Sequence, residues 1–147
     1  MSFGLRVGAS SAALVVTCFA LTSTTAAVGT SAERTCSRPD HIIAIHSSRS
    51  EYPNIIRHIK QSWRLGYRHV LRINRPGADE RRDQALAGIP TKEGFDRDEA
   101  PAAVLRKRVK TDVAYVPSSE NRSAGASLGA QIAPYCNGVR VRYRFDG

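Results

Sequence analysis

Residues 96–99 place three carboxylates and one guanidinium in four consecutive positions, with the sequence Asp-Arg-Asp-Glu, between Gly94 and Pro101. Carboxylates this close repel one another, so a fold gathers them only where positive charge compensates them. Arg97 can neutralise one of them, and a divalent cation can neutralise more. The alternative is a solvated acidic turn, which is common in proteins and has no chemical role.

A second polar stretch, residues 117–126, can complete a site with the first. Mg²⁺ and similar ions prefer oxygen ligands and keep several waters, so few protein oxygens suffice. Four side chains of the two stretches offer such oxygens: Asp98, Glu99, Glu120 and Asn121. A water-rich single-metal site suits phosphodiester cleavage, because the metal polarises the phosphate and stabilises the leaving oxygen.

The charge balance and the missing motifs limit the functional classes. The chain has 147 residues, enough for one domain, and a formal net charge of +9. That surplus favours an acidic partner such as nucleic acid or an anionic surface. The sequence contains no CxxC pair, HExxH helix or Walker loop, so the zinc sites and nucleoside-triphosphate sites that carry these motifs are excluded.

The N-terminal segment has the layout of a secretory signal peptide. Arg6 is its only charge, an apolar run at residues 12–21 follows, and small residues occupy 22–27. The apolar run is too short for a transmembrane helix. Cleavage after Ala27 and cleavage after Ala32 both fit this layout. We take residues 1–32 as the segment that is removed and expect the mature domain, residues 33–147, to be secreted, extracellular and free of the membrane.

Two cysteines remain in the mature chain, Cys36 and Cys136, one near each end. In an oxidising compartment their simplest arrangement is an intramolecular disulfide. A loop of this length is worth about 4 to 5 kcal/mol in the chain-entropy model. Two unpaired thiols, or a bond between chains, are the alternatives.

Apolar periodicity and capping residues predict a small single α+β domain. One stripe recurs at helical spacing, between Ser50 as candidate N-cap and Gly66 as candidate C-cap: Ile55, Ile56, Ile59 and Trp63. The strand at residues 139–145 alternates apolar residues with arginines. The other predicted elements are strands at 41–45, 69–73 and 112–116, and helices at 79–86, 102–105 and 120–132, the last capped by Ser118 or Ser119. They predict a central sheet of about four strands flanked by helices.

Basic side chains beside the second strand are candidates for phosphate contact. They are Arg75, Arg81 and Arg82. A solvated face is the alternative for each. Histidines occur at four positions and are expected on the surface or in the core rather than as bases: His41, His46, His58 and His69. Among them, His46 at a strand end is the one to examine in the structure.

Several uncommon motifs follow one another in order. They are Ala-Gly-Ile-Pro-Thr-Lys at residues 87–92, Gly-Phe-Asp-Arg-Asp-Glu at 94–99, Pro-Ser-Ser-Glu-Asn-Arg at 117–122 and Ala-Gly-Ala at 124–126. In this order they resemble the secreted DNA-entry deoxyribonucleases of the NucA/NucB type, over residues 52–145. The resemblance implies a compact domain with a reduced ββα-metal core that cuts DNA endonucleolytically with a single divalent cation, Mg²⁺ or Mn²⁺.

The resemblance also implies residue roles. Related nucleases carry Asp-Arg-Gly-His with histidine as the base, whereas this family resembles Asp-Arg-Asp-Glu, so Asp98 or Glu99 takes that role, and we expect Asp98. A free carboxylate has a pKa of about 4 and is a weak base, but crowding by Asp96 and Glu99 is expected to raise that pKa. Asn121 or Glu120, together with Glu99, would hold the metal.

Arg97 and Arg122 would orient carboxylates or hold phosphate. The chain departs from the family at Ala100, where an aromatic residue is usual, and at residues 120–123, where Glu-Asn-Arg-Ser replaces Asp-Asn-Arg-Gly. We expect a secreted, monomeric, metal-dependent DNA endonuclease with little sequence specificity. The alternatives are a secreted basic DNA-binding protein of the same fold without turnover, and a small disulfide-bonded protein that binds an anionic cell surface.

Overall fold

The computed structural model describes residues 35–147, and the predicted signal peptide at residues 1–32 lies outside that range. The elements follow in the order β1 (Ile43–Ser48), α1 (Pro53–Arg64), β2 (Leu71–Arg72), α2 (Ala78–Leu86), β3 (Phe95–Ala100), a 3-10 helix (Ala103–Leu105), β4 (Asp112–Pro117), α3 (Ser118–Ile132) and β5 (Arg140–Asp146). No helix in this part of the chain is long and apolar enough to cross a membrane. The predicted α+β class is confirmed.

β5 is the middle strand of a three-stranded sheet, with β1 parallel to it on one side and β2 antiparallel on the other. Its sequence alternates as predicted, since Val141 is fully buried and the three arginines of the strand are exposed. β2 is shorter than predicted. Beyond it the chain meets the segment before β5 through backbone bonds, including one of 3.0 Å from Ile73 N–H to the carbonyl of Val139.

β3 and β4 form a separate antiparallel hairpin, and α3 follows β4 directly. The register pairs Asp96 with Val116 and Asp98 with Ala114. This strand–strand–helix order is the ββα arrangement that the resemblance implied. The sequence did not predict β3, because residues 96–99 are all charged and show no apolar alternation. The strands of the described chain therefore divide between two sheets rather than forming one.

Two apolar clusters connect the sheets to the helices. The first joins the three-stranded sheet to the end of α3 through Ile45, Leu71, Val141 and Ile132. The second joins α1 to the hairpin through Ile55, Ile59, Ala100 and Val116. Because α1 contributes its apolar stripe to the second cluster, it positions the hairpin that carries the acidic stretch.

The disulfide between Cys36 and Cys136 is present, as predicted. Backbone bonds support it, since Ser37 N–H donates to the carbonyl of Pro134 (2.8 Å) and Cys136 N–H donates to the carbonyl of Ser37 (2.9 Å). The bridge joins the start of the described chain to the segment between α3 and β5.

The predicted serine caps of the helices are wrong. The N-cap of α1 is Tyr52, which makes no side-chain capping bond, and Ser50 lies in the preceding loop. The N-cap of α3 is Pro117, and the hydroxyl of Ser118 donates to Asp96 instead of capping its own helix. Both helix starts therefore depend on groups supplied from elsewhere in the fold.

Candidate active site

A cleft of about 630 Å³ runs along α3 and is lined by residues of α1, α2, α3 and β3. The two polar stretches meet in it. The predicted site residues that line it are Arg75, Arg82, Arg97, Asp98, Glu99, Asn121 and Arg122. Glu120 and Arg81 lie outside its lining.

The strand β3 sends its charged side chains to two sides, as an extended strand must. Asp96 and Asp98 meet side chains of α3 and α1. Arg97 and Glu99 meet groups of α2 and of the loops beside it. The four charges that are adjacent in sequence are therefore divided between two environments.

Asp96 is held at the N-terminal end of α3. Its carboxylate accepts hydrogen bonds from Ser118 Oγ (2.7 Å), from Arg122 Nε (3.1 Å) and Nη2 (3.2 Å), and from Asn121 Nδ2 (3.4 Å). The bonds from Arg122 and Ser118 hold the pKa of Asp96 below its ordinary value. The same pair raises the pKa of Arg122. Asp96 therefore orients the first turn of α3 and the exposed guanidinium of Arg122.

Glu99 is buried and pairs with two arginines. Oε1 accepts a hydrogen bond from Arg106 Nη2, and Oε2 accepts one of 3.1 Å from Arg82 Nε. Burial lowers the pKa of Arg106, and Glu99 opposes that shift. Arg97 donates to the carbonyls of Leu86 (3.2 Å) and Ile89 (2.7 Å). Glu99 and Arg97 thus fasten the hairpin to α2, although they also line the cleft.

Asp98 binds the buried imidazole of His58. Asp98 Oδ2 lies 2.6 Å from His58 Nδ1, and the side chains are 16% and 2% exposed. Because a carboxylate oxygen only accepts, Nδ1 carries the hydrogen in this bond. His58 Nε2 lies 3.3 Å from Asp112 Oδ2 but is not aligned for a hydrogen bond and has no other partner among residues 35–147. Burial, with a contribution from Asp98, raises the pKa of the nearby Tyr143 phenol.

The structure therefore surrounds Asp98 differently from the expectation. The two carboxylates expected to crowd it, Asp96 and Glu99, are each neutralised by guanidinium groups. The group in contact with Asp98 is His58, which sequence reasoning placed in the core or on the surface. One signal was available: His58 lies three positions after Ile55 on the apolar stripe of α1, which is the face that α1 buries.

Glu120 caps the N-terminus of α1 from α3. Its Oε1 accepts hydrogen bonds from the backbone N–H groups of Asn54 (2.7 Å) and Ile55 (2.9 Å), and its Oε2 accepts one from Asn54 Nδ2 (2.6 Å). A carboxylate at this position also favours the positive end of the helix dipole. Both oxygens of Glu120 are therefore engaged by α1.

The cleft offers few oxygens for a metal. No group of three or more His, Cys, Asp or Glu side chains suited to an ion gathers in residues 35–147. Asn121 bonds Asp96 through Nδ2 alone and Asp98 bonds His58 through Oδ2 alone, which leaves one oxygen on each for another partner. This donor set fits an ion that keeps most of its waters, such as Mg²⁺, and does not fit a site built from several protein ligands.

The three arginines expected to contact phosphate are largely engaged within the protein. Arg75 donates to the carbonyls of Ile132 (2.6 Å) and Tyr135 (3.0 Å) at the C-terminal end of α3. Arg81 donates to carbonyls at residues 74, 76 and 103. Arg82 pairs with Glu99 while its side chain stays 58% exposed. Of the three, Arg82 keeps most of its surface toward the cleft.

His46 also lines the cleft, but its polar contacts are to β5 and α3. Its Nδ1 lies 2.6 Å from Asp146 Oδ2, and its backbone N–H and carbonyl bond the side-chain amide of Gln131. It pairs with Arg144 in the sheet register, on the face that carries the arginines of β5. His46 therefore fixes the edge of β1 to α3 and is not a partner of Asp98.

Comparison with known proteins gives one informative match. No protein-family model matches the chain. The chain is 37% identical over 105 residues to the DNA-entry nuclease of Bacillus subtilis (strain 168), and the match covers 71% of this chain and 70% of that protein.

Proposed function

The chain belongs to the NucA/NucB-type family of DNA-entry nucleases, and from this premise we propose that it is a secreted, divalent-metal-dependent endonuclease. It hydrolyses phosphodiester bonds of DNA with little sequence specificity. The observation that supports this best is Asp98, a partly exposed carboxylate in the cleft whose second oxygen is held by His58. We take Asp98 as the general base.

In the proposed reaction, one Asp98 oxygen accepts a proton from water while the water oxygen forms a bond to phosphorus. The bond from phosphorus to the leaving deoxyribose oxygen breaks, and that oxygen takes a proton from solvent. His58 holds the carboxylate in one orientation, because its ring is buried and its Nδ1 donates to Asp98 Oδ2. Positioning of this kind brings the base within reach of the attacking water.

Arg122 is the candidate for holding the substrate phosphate. Its guanidinium is bound to Asp96 on one side and is still 76% exposed. Arginine offers five donors in a planar fork, so a guanidinium bound to a carboxylate keeps donors for a phosphate. Arg82 can assist in the same way from α2. Contacts to the backbone alone carry no base information, which accounts for the loose specificity.

The metal would be held by the free oxygen of Asn121, with water completing the coordination. A bound Mg²⁺ or Mn²⁺ would stabilise charge on the phosphate and on the leaving oxygen. Glu99 and Glu120, which the sequence also suggested as ligands, would first have to leave Arg106 and the N-terminus of α1. The proposal therefore gives Asn121 the main role as ligand.

Secretion is part of the proposal, and the disulfide supports it. Disulfides persist in oxidising compartments and are rare in the cytosol of ordinary organisms. The net charge of +9 attracts the phosphate backbone and so is consistent with an extracellular enzyme that acts on DNA. We propose that this enzyme acts as a monomer.

The test is nicking of supercoiled plasmid by oxidised mature protein in Mg²⁺, in Mn²⁺ and in EDTA. We expect nicking only with metal, and a loss of about 10²- to 10⁴-fold in Asp98→Asn, the range for a positioned acid–base group. Asn121→Ala should weaken the response to metal. Asp79→Asn, an exposed position on α2, is the matched control and should act like wild type.

The alternative is a DNA-binding protein of this fold without turnover. It would bind plasmid in EDTA and in metal alike and would leave the plasmid supercoiled under every condition. That result would replace the enzymatic proposal and would leave the acidic stretch as the structural fastening of the hairpin.

A further inference from the structure

A second groove lies on the exposed side of α1, with a volume of about 320 Å³. We name it the α1 groove; its lining residues are Arg49, Pro53, Ile56, Arg57, Lys60 and Arg64. None of its four cations forms an ion pair among residues 35–147. Arg57 donates one hydrogen bond to Asn54 Oδ1, whereas Arg75 and Arg81 each donate to several backbone carbonyls and Arg82 is paired with Glu99.

The cations of α1 form one row. Arg57, Lys60 and Arg64 are three and four residues apart, so they share a helix face, and α1 carries no acidic residue. At 1.5 Å per residue the row spans about 10 Å, close to the rise of about three nucleotides of one DNA strand. A row of this length matches consecutive phosphates better than it matches a single small anion.

Two of the cations are held in place by an aromatic ring. Lys60 Nζ lies 5.3 Å and Arg49 Cζ 6.0 Å from the ring centroid of Phe145. Cation–π contacts attract the charged group to the ring face while leaving its hydrogen-bond donors available. The groove therefore presents partly ordered charges without neutralising them.

The α1 groove and the catalytic cleft lie on different faces of one helix. Ile55 and Ile59 of α1 line the cleft, whereas Ile56 and Lys60 line the groove. An α-helix with its side chains is about 10 to 12 Å across, and the major groove of B-DNA is about 12 Å wide. A duplex that places one strand in the cleft can therefore reach past α1 with its other strand.

We propose that the α1 groove binds the phosphate backbone of duplex DNA, as a second contact away from the bond that is cut. This inference rests on the proposed nuclease function for its choice of ligand. The groove would contribute affinity for duplex and no base recognition, since backbone contacts carry no sequence information.

The experiment measures binding of a fluorescent 20-base-pair duplex in EDTA over a range of salt concentrations. Lys60→Gln/Arg64→Gln is compared with Lys107→Gln/Arg108→Gln, which removes the same charge from exposed positions after the 3-10 helix. The slope of log affinity against log salt should fall by about 2 in the groove variant, since each phosphate contact contributes about 0.9. The control should keep the wild-type slope.

Two outcomes overturn the proposal. Equal losses in both variants would mean that only net charge matters. A groove variant that binds duplex like wild type and loses binding to anionic vesicles would assign the groove to a membrane surface. Plasmid nicking in Mg²⁺ separates this inference from the proposed function. If duplex binding depends on the groove but the wild type does not nick plasmid, the groove proposal stands and the enzymatic proposal is rejected. If the wild type nicks plasmid but duplex binding does not depend on the groove, only the groove proposal is rejected.

Discussion

Glu120 can act as the cap of α1 or as a metal ligand, and replacing it distinguishes the two roles. Its carboxylate accepts three hydrogen bonds from Asn54 and Ile55 at the start of α1. Glu120→Gln keeps the size and one oxygen but removes the charge. We expect this substitution to destabilise the protein even when no metal is present.

The magnitude follows from the contacts. Hydrogen bonds to charged groups are worth about 1.5 to 3 kcal/mol and neutral ones about 1, so two weakened backbone bonds cost about 1 to 4 kcal/mol. Loss of the charge at the helix terminus adds about 0.5 kcal/mol. The free energy of unfolding should therefore fall by about 2 to 4 kcal/mol in Glu120→Gln. Glu120→Ala should lose more, because no acceptor remains.

The assay is urea unfolding of oxidised protein in EDTA, followed by circular dichroism. Glu93→Gln is the matched control, because Glu93 is exposed and lies in the loop before β3. If Glu120→Gln unfolds at the wild-type urea concentration in EDTA and differs only when Mg²⁺ is added, the capping argument is wrong and Glu120 is a metal ligand.

Three further predictions concern the cleft and the disulfide. His58→Phe should lower kcat about tenfold or more with KM unchanged, as expected for one lost charge-assisted bond to Asp98. His58→Asn keeps a donor near Nδ1 and should restore most of the lost kcat. Equal kcat in the two variants would contradict the positioning role. The depressed pKa of Asp96 stabilises the fold at pH above the unfolded-state pKa near 3.8, and this contribution is lost as pH falls through the lower folded-state pKa. Arg122→Gln should raise the Asp96 pKa in an NMR titration and shift acid unfolding to higher pH. An unchanged titration would refute the pairing. Reduction of the disulfide should cost about 2 to 5 kcal/mol in urea unfolding, and no change would show that the bridge adds no stability.

Periodicity made part of the fold predictable. The stripe that begins at Ile55 marks α1, and the alternation around Val141 marks β5, because both elements bury one face in the interior. β3 has no such mark. Its charged side chains are satisfied by partners outside the hairpin strands, which are His58 and Arg122 on one side and Arg106 on the other.

The same limit applies to the site. Local sequence and family resemblance brought Asp98, Asn121 and Arg122 together correctly in space. They did not show that Glu99 and Glu120 are engaged by donors from other elements. The residue type in the sequence is the same whether a carboxylate binds an ion or a helix terminus. Those assignments depend on tertiary contacts, which only the folded chain reveals.

The alternation of side chains along β3 makes the site sensitive to chain length as well as to residue identity. One residue inserted between Gly94 and Asp96, or a slip by one position against β4, would exchange the two sides of the strand. Arg97 and Glu99 would then replace Asp96 and Asp98 opposite α3 and α1, although no charged residue is lost. A one-residue insertion or deletion within β3 therefore disturbs both sides of the strand at once, whereas a single substitution changes one side only.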